Sequence, residues 1–284
     1  MSLNQMSRRE FFKVSGALGG GLAAAGMLGA CGSSSSSSTD SSSKSDDSYT
    51  LVTDGKLTCV CNAAFPPFES MDENTGEMQG FDIDLAAALA QKMGLESEWL
   101  PSQSFDSIVP LIKQGGKADC TITGMTITDK RKQEIDFTDP YIDSNQAIVV
   151  LKTATAKTED DLNVAGTQIC AQSGTTGGDW AQENLSNATY VPLDDVVQCL
   201  TGVSTGLYAA AVCDLPVASN LVSKSYTDLE ICEQIPTGEQ FGIGVSKDNP
   251  NLTKALNKAL AEIKSDGTMD NLQTQWFGSV ISSS

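Results

Sequence analysis

No histidine occurs anywhere in the 284-residue sequence. That absence removes the Ser-His-Asp and Cys-His nucleophile relays, imidazole general bases and the commonest metal ligand in one step. Positive charge is scarce as well: 18 Lys and Arg stand against 36 Asp and Glu, a formal net charge of -18. A surface of that sign repels phosphate backbones and anionic headgroups, which argues against binding nucleic acid or an anionic lipid surface. The chain is also short of long hydrophobic runs. Its glycine- and alanine-rich stretch from Val14 to Ala30 is brief beside a membrane span, which takes about 20 strongly apolar residues. What is present, 40% hydrophobic and 19% charged residues, is ordinary globular composition, enough for one large core or two modest ones.

Ser7-Arg8-Arg9-Glu10-Phe11-Phe12-Lys13 precedes that apolar stretch, the layout of a signal peptide with a basic start and a twin arginine. Residues 1–30 carry Arg8, Arg9 and Lys13 against Glu10, so their removal would leave the mature chain at -20. Leu28-Gly29-Ala30-Cys31 resembles a lipobox, which implies cleavage before Cys31 and acylation of that cysteine on the outer face of the cytoplasmic membrane. Residues 31–48 follow, Cys31 and then a tract of Ser, Thr, Asp, Lys and Gly. Such a tract buries nothing and reads as a disordered tether, so the folded part begins near Tyr49.

Beyond it, strand and helix patterns alternate. Leu57-Thr58-Cys59-Val60-Cys61 reads as a strand and Phe65-Pro66-Pro67-Phe68 as an extended loop. Leu85, Ala88, Leu89 and Met93 keep helical spacing up to Gly94. A second strand closes at Trp99, a helix begins at Phe105 with Ser104 as its cap, and Thr121 starts a strand that ends near Gly124. Ala147-Ile148-Val149-Val150-Leu151 is a buried strand, Thr158 to Leu162 a capped helical turn, and Thr167 to Ala171 the next strand. Val196 to Leu200 is helical, and Gly206 to Ala218 runs strand, acid, helix. Gln240 to Val245 is a returning strand, and Leu252, Ala255, Leu256, Ala259, Leu260 and Ile263 form a helical stripe. This alternation is the signature of an α/β fold.

The chemistry concentrates in two turns. Thr126 and Arg131 lie five residues apart, in a loop that leads from a strand into a short helix. A hydroxyl and a planar two-pronged guanidinium so placed can converge on one carboxylate. Gly124 has no side chain, so a ligand can approach its carbonyl closely. Spacing alone leaves Arg131 equally well a solvated charge in Asp-Lys-Arg-Lys. The second turn, Gln172-Ser173-Gly174-Thr175-Thr176, joins a strand to a helix start and presents free N–H groups and a helix dipole to an anion. Asp214 ends a buried strand, where α/β folds place ligand groups, and Pro216 behind it leaves a helix N-cap role open.

Gly124-Met125-Thr126-Ile127-Thr128-Asp129-Lys130-Arg131, with Asp136-Phe137-Thr138-Asp139-Pro140-Tyr141 after it, resembles the signature of the solute-binding proteins of polar amino-acid ABC importers. The likeness extends from about Leu57 to Gly278. It implies a two-lobed periplasmic-binding-protein-like (type II) fold, each lobe a central sheet flanked by helices. Lobe one is expected to take 49–148 and 243–284, lobe two 149–242, with the ligand in the cleft. By resemblance Thr126, Arg131, Gly174, Thr175 and Thr176 grip an α-carboxylate, while the Gly124 carbonyl and Asp214 meet the ammonium group. Thr123 is expected at the same site. Phe65 and Phe105 sandwich the ligand, and Asn62 and Gln172 face its side chain. For Phe65 the residues alone leave a core aromatic as the other reading. Both Asn62 and Gln172 are neutral amides, which suits a polar uncharged side chain such as glutamine's better than that of lysine, arginine or glutamate and leaves cystine open. Relatives commonly carry Asp where this chain has Ala209, so contacts there differ.

The resemblance implies no cofactor and no metal, and names as partners a free amino acid, a permease with its ATPase, and the membrane through Cys31. The alternatives are an enzyme of the same fold, such as a cyclohexadienyl dehydratase, and a surface adhesin that binds no ligand. Seven further cysteines (Cys59, Cys61, Cys120, Cys170, Cys199, Cys213 and Cys232) stand mostly where Val or Ala would serve in strands. They read as core thiols, with a soft-metal site as the sharper alternative.

Overall fold

The computed structural model describes residues 48–280. The expectations for the leader, for Cys31 and for the tether up to residue 47 lie outside the described residues. In chain order, β1 (Lys56–Val60) is followed by β2 (Ala64–Phe65), β3 (Glu69–Met71), β4 (Met78–Gln79), α1 (Phe81–Lys92), β5 (Glu96–Trp99), α2 (Phe105–Gln114), β6 (Cys120–Thr121), α3 (Asp129–Glu134) and β7 (Asp136–Phe137). Then come β8 (Ile142–Leu151), α4 (Glu159–Leu162), β9 (Gln168–Gln172), α5 (Thr176–Asn184), β10 (Thr189–Leu193), α6 (Val196–Ser204), β11 (Ala210–Asp214), α7 (Leu215–Lys224), β12 (Leu229–Phe241), β13 (Gly244–Val245), α8 (Pro250–Ser265) and α9 (Thr268–Phe277).

Two five-stranded sheets result, ordered β5-β1-β6-β13-β7 and β10-β9-β11-β8-β12, with β2, β3 and β4 as a small third sheet. In the first, β1 runs parallel to β5 and β6, whereas β13 is antiparallel to β6 and β7. In the second, β9 is parallel to β10 and β11, and β8 is antiparallel to β11 and β12. The central strands β1, β9 and β11 are buried along almost their whole length, so helices cover the faces of each sheet. In β8, Ala147 and Val149 enter the core with α6 and α7, while Ile148 and Val150 enter the core with α5. The stripe read in α8 is there: Leu252, Leu256, Ala259, Leu260 and Ile263 are buried, and α8 packs against α1.

Four local expectations change. The Thr121 strand keeps ladder pairing only through Thr121, and Gly124 then turns with a φ of 51°. The stretch Gln240 to Val245 is not one strand: β12 ends at Phe241 and β13 starts at Gly244. Ser104 holds the N-cap position of α2 without a capping bond, and its carbonyl instead accepts from Ser107 Oγ at 2.7 Å. The lobe boundary set at 148/149 falls inside β8, which pairs with β11 and β12 from Ile142 onward. The polar residues Asp143, Asn145 and Gln146 hide the first half of that strand from a search for apolar runs. Chain passage between the sheets therefore occurs at residues 138–141 and 242–243, beside the Phe241 and Ile142 pair that ends the β8–β12 ladder. The capping box read at Thr158 is formed with Asp161.

Candidate ligand-binding cleft

Both turns singled out above lie at strand ends and face each other. On the first-sheet side, Thr128 caps α3 by accepting from Arg131 N at 3.1 Å. This places Arg131 nearly buried, with Nη1 donating to the Thr126 carbonyl at 2.7 Å and Nη2 to the Gly174 carbonyl at 3.0 Å. Its guanidinium sits 5.3 Å from the centre of the Phe105 ring, a cation–π arrangement. Burial pulls the guanidinium pKa down, and the negative charges of Asp214, Glu239 and Asp179 push it back up. Phe65 stacks on Phe68 with centroids 5.8 Å apart and lies over Gly124 so closely that a Cβ there would stand 2.6 Å from Phe65 Cε1. Only glycine meets both that approach and the left-handed φ.

On the second-sheet side, β9 ends at Gln172, and Thr175 caps α5 by accepting from Gly178 N at 3.1 Å. Thr176 Oγ1 donates to Glu239 Oε2 at 2.8 Å. Asp214 stands at the end of β11, where it accepts from Ser144 Oγ and from Gln146 Nε2, each at 3.2 Å. It occupies the N-cap position of α7 but makes no capping bond, so the cap reading is set aside. Burial first, and then the charge of Glu239, push its carboxyl up to about 7, against the pull of Ser144 and Arg131.

Phe65, Phe105, Gly124, Thr126, Arg131, Gln172, Thr175, Thr176 and Asp214 line one small, nearly closed cavity. Three other expected residues stand just outside it. Asn62 accepts from Gln172 Nε2 at 2.9 Å, closing one end between the lobes. Gly174 turns its carbonyl, not its N–H, toward Arg131. Thr123 points away into the first lobe, where its hydroxyl donates to Glu69 Oε1 at 2.6 Å and accepts from Asn62 N at 3.0 Å. A roomier groove lined by Asn145, Leu215, Ser219 and Trp276 is open to solvent. It shares Ser144 and Glu239 with the site but has neither Arg131 nor Asp214 in its lining, so the paired guanidinium and carboxylate, not size, locate the site.

Three polar residues here were not anticipated: Ser144, Gln146 and Glu239. Gln146 Nε2 reaches Asp214 and Glu239 together, the latter at 3.0 Å, and Glu239 Oε2 also accepts from Thr126 Oγ1 at 3.1 Å. The one signal in the sequence is the alternation Ser144, Gln146 ahead of an apolar run. Among the described residues, no group of three metal-ligating side chains is assembled, and no helix is long and apolar enough to cross a membrane.

The chain is similar to several known proteins. ABC transporter arginine-binding protein 1 of Escherichia coli (strain K12) is 35% identical over 227 residues, covering 78% of this chain and 90% of that protein. The solved structure of an ancestral arginine-binding protein bound to glutamine superposes with a TM-score of 0.74 at 38% identity, covering 79% of this chain and 98% of the other. An ancestral amino acid-binding protein described as a precursor of cyclohexadienyl dehydratase gives a TM-score of 0.71 at 34% identity, covering 78% and 96%. These relatives share the two-lobed fold, and the model of the bacterial extracellular solute-binding proteins, family 3, matches residues 57–279. The chain therefore belongs to family 3 of the bacterial extracellular solute-binding proteins, a family whose members here are amino-acid-binding components of ABC transporters.

Proposed function

We propose that this protein is the extracytoplasmic capture component of an ABC importer, held to the membrane by a lipid on Cys31, and that it closes on a free amino acid with a polar uncharged side chain such as glutamine. The observation that carries the reading is the opposition of Arg131 and Asp214 across one cavity. A zwitterion has the complementary pair, its carboxylate for the guanidinium and its ammonium for the carboxylate. Thr126 and Thr176, whose hydroxyls donate to Glu239 in this structure, and Thr175, whose hydroxyl donates to the Gln172 carbonyl, can turn those donors to the ligand. Glu239 shares Gln146 with Asp214 and so belongs to the ammonium end. The other end holds the amides of Asn62 and Gln172, which donate and accept but carry no charge. A cationic side chain there would meet only neutral oxygens. The permease and its ATPase are the partners to which the closed form delivers its ligand.

A second reading, turnover on the same fold, is favoured by one observation: the buried Asp214 carboxyl near 7 is poised in the range a general acid requires. Two assays separate the readings. A thermal-shift screen of the amino acids raises the melting temperature for a ligand that binds only the folded form, with glutamine expected to give the largest shift. The largest shift from arginine or lysine would overturn the pocket assignment. Conversion of prephenate or arogenate would establish the enzyme instead.

A further inference from the structure

Directly behind Gly124 lie two carboxyl groups for which the cleft gives no role. Glu69, on β3, and Asp82, in the first turn of α1, are both fully buried. Asp82 Oδ2 accepts from Gly124 N at 2.7 Å and from the Tyr141 hydroxyl at 2.9 Å. Glu69 Oε1 accepts from Thr123 Oγ1 at 2.6 Å. The remaining oxygen of each group, Glu69 Oε2 and Asp82 Oδ1, is reached by no N–H or O–H. The two carboxyls nevertheless lie within hydrogen-bonding reach of each other. The other titratable groups facing them are the Tyr141 hydroxyl and the Cys61 thiol, neither a cation. Two bare carboxylates in such a dry place would repel each other and keep two unsatisfied oxygens, a doubly unfavourable state.

A single proton removes both faults. We propose that Glu69 and Asp82 share one proton at neutral pH, carried on Glu69 Oε2 and donated to Asp82 Oδ1, and that this acid pair positions the Thr123-Gly124 segment that floors the cleft. The proton rests on Glu69 because Asp82 already receives two donors that favour its ionised form, while Glu69 receives one. Burial and the neighbouring Asp82 charge hold the Glu69 carboxyl well above its ordinary range. Asp82 then fixes the Gly124 N–H and thereby the left-handed turn under Phe65. Glu69 fixes Thr123, whose hydroxyl in turn holds the backbone N–H of Asn62. Neither acid touches a ligand; both are positioning residues, and their bearing on affinity rests on reading the cleft as the amino-acid site.

Infrared spectroscopy of the ligand-free protein tests the proton itself. At about pH 8.5, above the value near 7 of Asp214, a protonated carboxylic acid C=O band is expected in the native protein and absent from Glu69→Gln. No such band in the native protein would overturn the pair. Glu69→Gln keeps a neutral donor toward Asp82 and an acceptor for Thr123, so it should fold and bind glutamine within about twofold of native, whereas Glu69→Ala should weaken binding about tenfold or more. The pH dependence of stability supplies a readout that packing alone does not move. A carboxyl raised above its unfolded value of 4.5 makes the folded state the better proton binder, so its contribution falls as pH rises beyond that value. The melting temperature of Glu69→Gln should therefore gain on the native protein between about pH 5 and about pH 8; parallel curves would overturn the proposal. If no amino acid binds any variant, the cleft reading fails, while the infrared band still decides the acid pair.

Discussion

Arg131 donates from Nη2 to the carbonyl of Gly174 at 3.0 Å, and this bond ties α3 of the first lobe to the loop after β9 in the second. The side chain that can hold a carboxylate thus also latches the closed cleft. Arg131→Ala should leave the fold intact and lower amino-acid affinity by at least about tenfold to hundredfold, since a hydrogen bond to a charged group is worth about 1.5–3 kcal/mol and a guanidinium makes two. Calorimetry with unchanged affinity would count against the site.

Because Thr126 and Arg131 come from one lobe and Thr176 and Asp214 from the other, one ligand touches all four only when the lobes meet. Small-angle scattering should show compaction on adding ligand, the hinge response of a two-lobed binder. Tight binding without compaction would rule out the clamp.

Asp214 makes binding sensitive to pH. Its carboxyl stands at about 7, so below that value the empty protein holds a proton that an incoming ammonium group must displace. Affinity should climb with pH up to about 7 and then level, falling up to tenfold for each unit below. Calorimetry at about pH 6 in two buffers of different ionisation enthalpy should detect proton release, which vanishes at about pH 8. For stability the sign is opposite. The folded form binds the extra proton between 3.8 and about 7, so the ligand-free protein loses stability through this group as pH rises across that window. Asp214→Asn should abolish both effects and weaken binding of amino acids more than of analogues lacking the amine.

Gly124→Ala combines a left-handed φ of 51° with a Cβ only 2.6 Å from Phe65. The expected cost is about 1–3 kcal/mol in folding, read from the urea midpoint, together with weaker binding as the Phe65 ring is displaced.

Cysteine chemistry offers a separate check. Cys59, Cys61, Cys120, Cys170, Cys199 and Cys213 are buried free thiols, with Cys59 and Cys120 sulfurs 3.6 Å apart on paired strands, and Cys232 is half-buried. Burial pushes the Cys61, Cys213 and Cys232 thiols up, the last to about 11. Cys31 apart, a maleimide should label only Cys232 in the native protein and all seven after denaturation. Rapid native labelling of the rest would show a looser core.

Local chemistry made much of this protein legible in the chain itself. Helical spacing marks α1 and α8, the Thr158 and Asp161 box marks α4, and the Thr-x-x-x-x-Arg turn with its glycine marks one wall of the cavity, because strand-to-helix turns in α/β sheets open on one edge. What only the tertiary structure decided depends on partners distant in sequence. Glu239 and Gln146 reach the cleft because β12 pairs with β8 through a register shift between Ile235 and Glu239 that sets Glu239 opposite Ser144, and no pattern within either strand announces that shift. Thr123 reads as a cleft residue until the strand's alternation, broken at Gly124, sends its hydroxyl to Glu69 instead. The shared burial of Glu69 and Asp82 arises where β3 and α1 fold back on the Gly124 turn, and a charge's environment is set by that packing, not by its neighbours in the chain.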